Sequence, residues 1–193
     1  MMLILPQDKA DARKIAAAHR LAAHEHAKEN APRLLASQNL PTNPKPGFHI
    51  ISAFYPYRSE IDTRPLLTKL AGEGWTTALP IVQGSGLPLI FRRWLPGEPT
   101  MKGAMNIAIP PESAGEVEPD VLLVPMLAYD AQGFRLGYGG GFYDRTLSQL
   151  RAKKTIVAIG VAYAAQQVLH VPHDEHDQPL DYVMTERGVT KCG

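Results

Sequence analysis

Two apolar, β-branched runs, DVLLVPML (120–127) and TIVAIGVAY (155–163), stand one helix apart in this sequence, and that spacing restricts the fold more than any other feature. Each run is strand-like in composition and bounded by turn residues. Between them lie a glycine-rich loop and a stretch of helical character from about Gly141 to Arg151. A strand, a helix and a second strand in that order make a βαβ unit, with parallel strands and a right-handed crossover. Parallel strands are buried on both faces, so helices must cover both sides of the sheet.

The rest of the chain supplies the covering layers. Residues 7–38 read as helical, with Pro32 separating a long first helix from a short second one. At helical spacing Lys9, Arg13 and Arg20 fall within about 40° of one another on one face. Arg20 and Lys14 are expected to reach into water, as long basic side chains on helices usually do. LPTNPKPG (40–47) is a connector, and HIISAFYPY (49–57) reads as a strand. Asp62 or Thr63 can cap the next helix, which Gly72 and Gly74 end. TTALPIV (76–82) and LPLIFRRW (87–94) are further strands, and LDYVMTERGV (180–189) adds a last one. Residues 95–119 form a region marked by proline and glycine with one short strand. The predicted fold is α/β: one domain over residues 1–193, an open, mostly parallel sheet flanked by helices in a Rossmann-like three-layer sandwich.

Composition narrows the function. The 193 residues carry a net charge of +1 with 45% apolar content, enough for a real core but without the basic face of a nucleic-acid binder. The one cysteine, Cys192, cannot form an intramolecular disulfide. No run nears the roughly 18 apolar residues of a membrane span, and the apolar start is too short for a secretory signal. A cytoplasmic location and a monomer are the expectations, with neither nucleic acid nor membrane as partner.

The most informative text is RLGYGGGFYDR, Arg135 to Arg145. Gly137, Gly139, Gly140 and Gly141 follow a buried strand and precede a helix. Glycines allow backbone conformations that turn several N–H groups toward one anion, and the positive end of the next helix adds to the effect. Arg135 can donate two parallel hydrogen bonds, and Asp144 can reach a magnesium ion or its water. The loop is not a dinucleotide GxGxxG fingerprint, which fails at Phe142, nor a Walker motif, which needs GK[ST]. By itself it is equally compatible with phosphate binding and with a tight structural turn; Arg135 and Asp144 favour phosphate.

The longer stretch VPMLAYDAQGFRLGYGGGFYDR (124–145) resembles the signature of the 5-formyltetrahydrofolate cyclo-ligase family, also called methenyltetrahydrofolate synthetases. YRSEIDT (57–63), AIGVAYAAQ (158–166) and PHDEHDQPLD (172–181) extend the likeness over nearly the whole chain, whereas NIAIPPES (106–113) departs from the family's usual GIxEP. The resemblance implies ATP- and magnesium-dependent conversion of 5-formyltetrahydrofolate to 5,10-methenyltetrahydrofolate. It makes Lys9 and Arg13 nucleotide contacts and assigns Arg135, Leu136, Gly137, Tyr138, Gly139, Gly140, Gly141, Phe142 and Tyr143 to the ATP loop. Asp144 and Asp177 become magnesium ligands, with Asp174 a lesser candidate. Tyr55 and Glu60 fall on the folate side. Met101 and Lys102, which follow a Pro/Gly turn rather than a family motif, are expected to line the folate pocket, Lys102 near the glutamate tail. Glu60, Arg135 and Asp144 are the implied catalytic residues. No protein nucleophile is called for.

Other residues read more plainly. His170, His173 and His176 fit no zinc spacing and are expected at the surface. Trp75 and Trp94 are expected in the core or pocket wall. Two other readings remain, an ATP-dependent phosphotransferase acting on another acceptor and a non-catalytic folate binder.

Overall fold

A computed structural model describes residues 2–193. Helix α1 (Lys9–Ala27) is capped by Asp8, whose carboxylate accepts the Asp11 N–H at 2.9 Å, and α2 (Ala31–Ser37) starts around Pro32. Strand β1 (Ile50–Ser52) leads to α3 (Arg64–Gly72). Thr63 occupies the N-cap position there, but the carboxylate that accepts the Arg64 N–H belongs to Asp62. Strands β2 (Thr76–Val82) and β3 (Leu89–Arg93) form an antiparallel pair. A small hairpin, β4 (Met101–Lys102) and β5 (Ala108–Ile109), precedes β6 (Glu116–Val117). Next come β7 (Val121–Pro125) and a second small hairpin, β8 (Ala128–Tyr129) and β9 (Arg135–Leu136). Helix α4 (Phe142–Lys153), β10 (Val157–Val161), β11 (Tyr182–Thr185) and β12 (Gly188–Lys191) complete the chain.

The main sheet has eight strands in the order β12–β11–β10–β7–β1–β2–β3–β6. The five inner strands, β11 to β2, run parallel, and β12, β3 and β6 pair antiparallel at the edges. Alternation along β7 assigns the layers. Val121 and Leu123 pack with Leu35 of α2 and Leu66, Leu67 and Leu70 of α3, whereas Leu122 and Val124 pack with Leu147 and Leu150 of α4. This is the predicted three-layer arrangement with a mostly parallel sheet. Among the described residues no helix is long and apolar enough to cross a membrane.

Three details differ from the sequence reading. Only Ile50–Ser52 of the run 49–57 forms strand, because the chain leaves the ladder before Pro56, which has no N–H to donate. The last predicted strand is a hairpin that turns at Glu186–Arg187 and returns through Gly188–Lys191. The region 95–119 holds three short strands rather than one, all two residues long and so below any periodic signal.

Connectivity places the site. From β1 the chain crosses by α3 to β2 on one side; from its neighbour β7 it crosses by α4 to β10 on the other. The two crossovers part between β1 and β7, and a crevice opens at the carboxyl ends of strands where they do so. Helix α1 covers the loops beyond those ends, with Ala12 and Ala16 packed against Leu127, Leu136, Val168 and Val171.

Candidate active site

A cleft of about 1160 Å³ occupies that crevice. Phe54, Tyr55, Tyr57 and Glu60 enter it from the segment after β1, and the whole loop from Arg135 to Arg145 enters from beyond β7. Lys9 and Arg13 reach it from α1, Asp174 and Asp177 from the segment before β11, and Gly103, Ala104, Met105 and Ile107 to Ile109 from the small hairpin. The structure thus gathers Lys9, Arg13, Tyr55, Glu60, the loop, Asp144 and Asp177 into one cavity. Met101 and Lys102 are exposed and lie outside its lining, where their hairpin neighbours Ala104, Met105 and Ile107 stand instead.

The turn before the loop is fixed by Asp130, which is 1% exposed. Its carboxylate accepts the N–H groups of Gln132, Phe134 and Val171 at 3.0–3.1 Å. Gly133 closes the turn at φ +92, and a Cβ there would sit 2.6 Å from the Leu180 carbonyl oxygen. Gly133→Ala is therefore expected to destabilise the fold by at least about 2 kcal/mol, combining left-handed strain with a backbone clash. Chemical denaturation at constant pH would check this, and an unchanged midpoint would refute it.

In the loop, Gly141 is the N-cap of α4 at φ 64 and no side chain caps the helix. The first turn of α4 lines the cleft, so its uncapped N–H groups and the positive end of the helix dipole lie at that wall. Arg13 lies along this loop, donating from Nε to the Gly137 carbonyl at 3.0 Å. Its Cζ is 3.0 Å from where a Cβ on Gly139 would be, so the missing side chain is what lets the guanidinium approach. Arg145 grips the other end, donating to the Gly140 carbonyl at 2.6 Å and the Leu87 carbonyl at 3.3 Å.

Arg135 is buried and donates from Nη2 to Asp144 Oδ1 at 2.6 Å and from Nη1 to the Gln178 carbonyl. Burial draws its pKa below the ordinary value, and Asp144 opposes that. The Gln178 N–H reaches the same Oδ1 at 3.0 Å, which leaves Oδ2 without a protein hydrogen bond among the described residues. Lys9 spans Asp174 and Asp177 at 2.6 and 2.7 Å, tying α1 to the segment before β11. Partial burial works against the Lys9 charge, but the two carboxylates outweigh it and raise its pKa.

The opposite wall carries Glu60, 7% exposed. Its Oε2 accepts the Tyr57 N–H at 2.9 Å, and its Oε1 stands 3.6 Å from Arg20 Nη1. Burial pushes its pKa up to about 7, against the pull of the Tyr57 N–H and Arg20. Arg20 corrects the sequence reading: it is 2% exposed rather than in water, while Lys14 is exposed as expected. Helical spacing puts Arg20 on the face of Lys9 and Arg13, and that face is the buried one. Arg145 was the other residue missed, although it closes the same glycine motif. Trp75 and Trp94 are buried in the core, with Trp94 edge-on to Tyr55 at 6.1 Å. His170, His173 and His176 are all exposed, and His173 stacks on Phe134 at 3.5 Å. Among the described residues no cluster of three or more His, Cys, Asp or Glu could hold a metal by itself.

A mostly parallel sheet with a large crevice at its switch point, a glycine-rich loop on one wall and a buried carboxylate on the other define a ligand-binding α/β protein. Comparison gives it a family. Residues 7–186 match the 5-formyltetrahydrofolate cyclo-ligase family. The chain is 36% identical over 142 residues to the 5-formyltetrahydrofolate cyclo-ligase of Escherichia coli K12, covering 71% of this chain and 78% of the relative. The Haemophilus influenzae protein of that name is 35% identical over 135 residues, covering 67% and 72%. Among solved structures, the Aquifex aeolicus 5,10-methenyltetrahydrofolate synthetase superposes with a TM-score of 0.75 at 29% identity, covering 95% of this chain and 92% of that one. The chain belongs to the 5-formyltetrahydrofolate cyclo-ligase family, and it is an enzyme.

Proposed function

We propose that the protein converts 5-formyltetrahydrofolate to 5,10-methenyltetrahydrofolate, consuming ATP and releasing ADP and phosphate. The observation that carries this reading is the pairing, across one cleft, of the uncapped glycine loop with the buried carboxylate of Glu60. The names of the family relatives point the same way.

The formyl oxygen on N5 is a poor leaving group. Transfer of the γ-phosphoryl group to that oxygen gives an imino-phosphate; attack by N10 then closes the five-membered ring, and phosphate leaves. The protein's task is positioning and charge stabilisation. Loop N–H groups and the α4 terminus bind the triphosphate, Arg13 and Lys9 add positive charge, and Arg135 stands at the base of the loop. Glu60 holds the folate so that the formyl oxygen meets the γ-phosphorus. Asp144 and Asp177 suit magnesium, which binds through a few carboxylates plus phosphate oxygens and water. When bound, the ion neutralises charge on the triphosphate.

Purified protein given ATP, magnesium and 5-formyltetrahydrofolate should form the ultraviolet-absorbing methenyl product. ATP turnover on another acceptor without that product would replace this reading with a phosphotransferase. Folate binding without ATP cleavage would replace it with a binding protein. Arg13→Ala should raise the apparent ATP constant about tenfold, the usual effect of losing a charge-assisted contact, with the fold retained. An unchanged ATP dependence would leave Arg13 a structural latch on the Gly137 carbonyl.

A further inference from the structure

Arg20 sends its donors to both walls of the cleft. Nε donates to Ser59 Oγ at 3.1 Å, and Nη1 lies 3.4 Å from the Met126 carbonyl and 3.6 Å from Glu60 Oε1. Nη2 donates to the hydroxyl of Tyr138, whose ring also lies 5.3 Å from the Arg20 guanidinium carbon. Ser59 and Glu60 belong to the wall after β1, and Tyr138 belongs to the glycine loop after β7. Burying a guanidinium is costly unless its donors are used, and here they are shared between the two ligand sides.

We propose that Arg20 is a positioning residue that couples the two halves of the cleft, so that filling the nucleotide loop tightens the folate side. This rests on the folate and ATP reading given above. The coupling follows from the geometry. At 3.6 Å the Arg20–Glu60 contact is an attraction rather than a hydrogen bond, so Oε1 stays available to a ligand donor while Oε2 holds the Tyr57 N–H. Tyr138 is 44% exposed and packs edge-on against Tyr57 with centroids 6.0 Å apart. A ligand that reseats the loop moves Tyr138, and that motion changes both the Tyr57 wall and the partner held by Nη2. The guanidinium must then share its charge differently between Tyr138 and Glu60. The titratable groups facing Glu60 are Arg20 from α1, Tyr138 from the loop and Tyr143 from the first turn of α4; only Arg20 is cationic.

The test measures 5-formyltetrahydrofolate affinity by calorimetry, with and without magnesium and a non-hydrolysable ATP analogue. In the unaltered enzyme the analogue should tighten folate binding at least about fivefold, the lower end of ordinary coupling between sites. Tyr138→Phe removes only the hydroxyl and should bring that factor close to one. Arg20→Met should do the same. It should also move the pH dependence of folate binding upward by about one unit or more, because Glu60 loses its one cationic neighbour. Arg20→Lys should restore the pH dependence without restoring the coupling, since an ammonium replaces the charge but not the fork. A merely structural arginine would lower the melting temperature and leave the coupling factor in place. Where Arg20→Met does not fold, Tyr138→Phe decides. No coupling in the unaltered enzyme, or full coupling in Tyr138→Phe, overturns the inference. Absence of methenyl product from the unaltered enzyme overturns the function reading and this inference with it, whereas turnover with intact coupling in Tyr138→Phe overturns this inference alone.

Discussion

Asp144→Asn is expected to lower turnover by at least about a hundredfold, in the range seen when one electrostatic stabiliser is removed from an active site, while folate binding stays near normal. Two effects act together. The variant would lose the charge that the proposed function assigns to the magnesium–triphosphate side. It would also leave the Arg135 guanidinium, whose side chain is 5% exposed, with the Gln178 carbonyl and no anion. An asparagine oxygen can still accept the Gln178 N–H, so the loop should keep its place. The two measurements are a titration of each ligand alone and turnover as a function of magnesium. A changed magnesium dependence with intact folate affinity is the expected result. Selective loss of folate binding would place Asp144 on the wrong wall.

At pH 8, where the Glu60 carboxyl is ionised, Glu60→Gln should lose about a hundredfold in kcat/KM, on the proposed function chiefly through folate, because a buried charged acceptor is replaced by a neutral one. Its stability should move the other way. The folded protein holds the Glu60 proton up to about pH 7, whereas the unfolded chain releases it near 4.5. The favourable contribution of the protonated acid is therefore complete below pH 4.5 and lost as pH rises to 7. Glutamine mimics the protonated acid and has no such dependence. The difference in unfolding free energy between variant and parent should grow in favour of the variant across that window, toward a ceiling of roughly 3 kcal/mol. Urea denaturation at pH 5 and pH 8 reads the difference. A gap that narrows with rising pH would mean that Arg20 outweighs burial at this carboxyl.

The sequence made the parallel centre of the fold legible because burial on both faces writes continuous apolar runs, as in β7 and β10. It also placed the loop, since Gly139 and Gly141 of Arg135–Arg145 take left-handed backbone that favours glycine. Two-residue strands such as β4, β5 and β6 leave no periodic trace. Arg20 was missed for a different reason. A basic residue on a helix is read as solvated unless its partners are known, and Ser59, Glu60 and Tyr138 lie 39 or more positions away. The pairing of Lys9 with both Asp174 and Asp177 was equally invisible, because it joins segments 165 and 168 residues apart.

The β4–β5 hairpin has a practical consequence for redesign. It contributes Gly103 to Met105 and Ile107 to Ile109 to the cleft yet is held by a ladder of only two residue pairs, Met101 with Ile109 and Lys102 with Ala108. The triphosphate apparatus proposed here comes from other parts of the chain, so this short hairpin is a stretch of cleft wall that can be exchanged without touching that apparatus. Met105 and Asn106 take left-handed backbone at φ 55 and 59, which fixes the tip. A combinatorial library that holds Asn106, and allows Asn or Gly at 105, could vary 104 and 107 freely. Such exchange would show how far this wall sets ligand choice while the glycine loop stays unchanged.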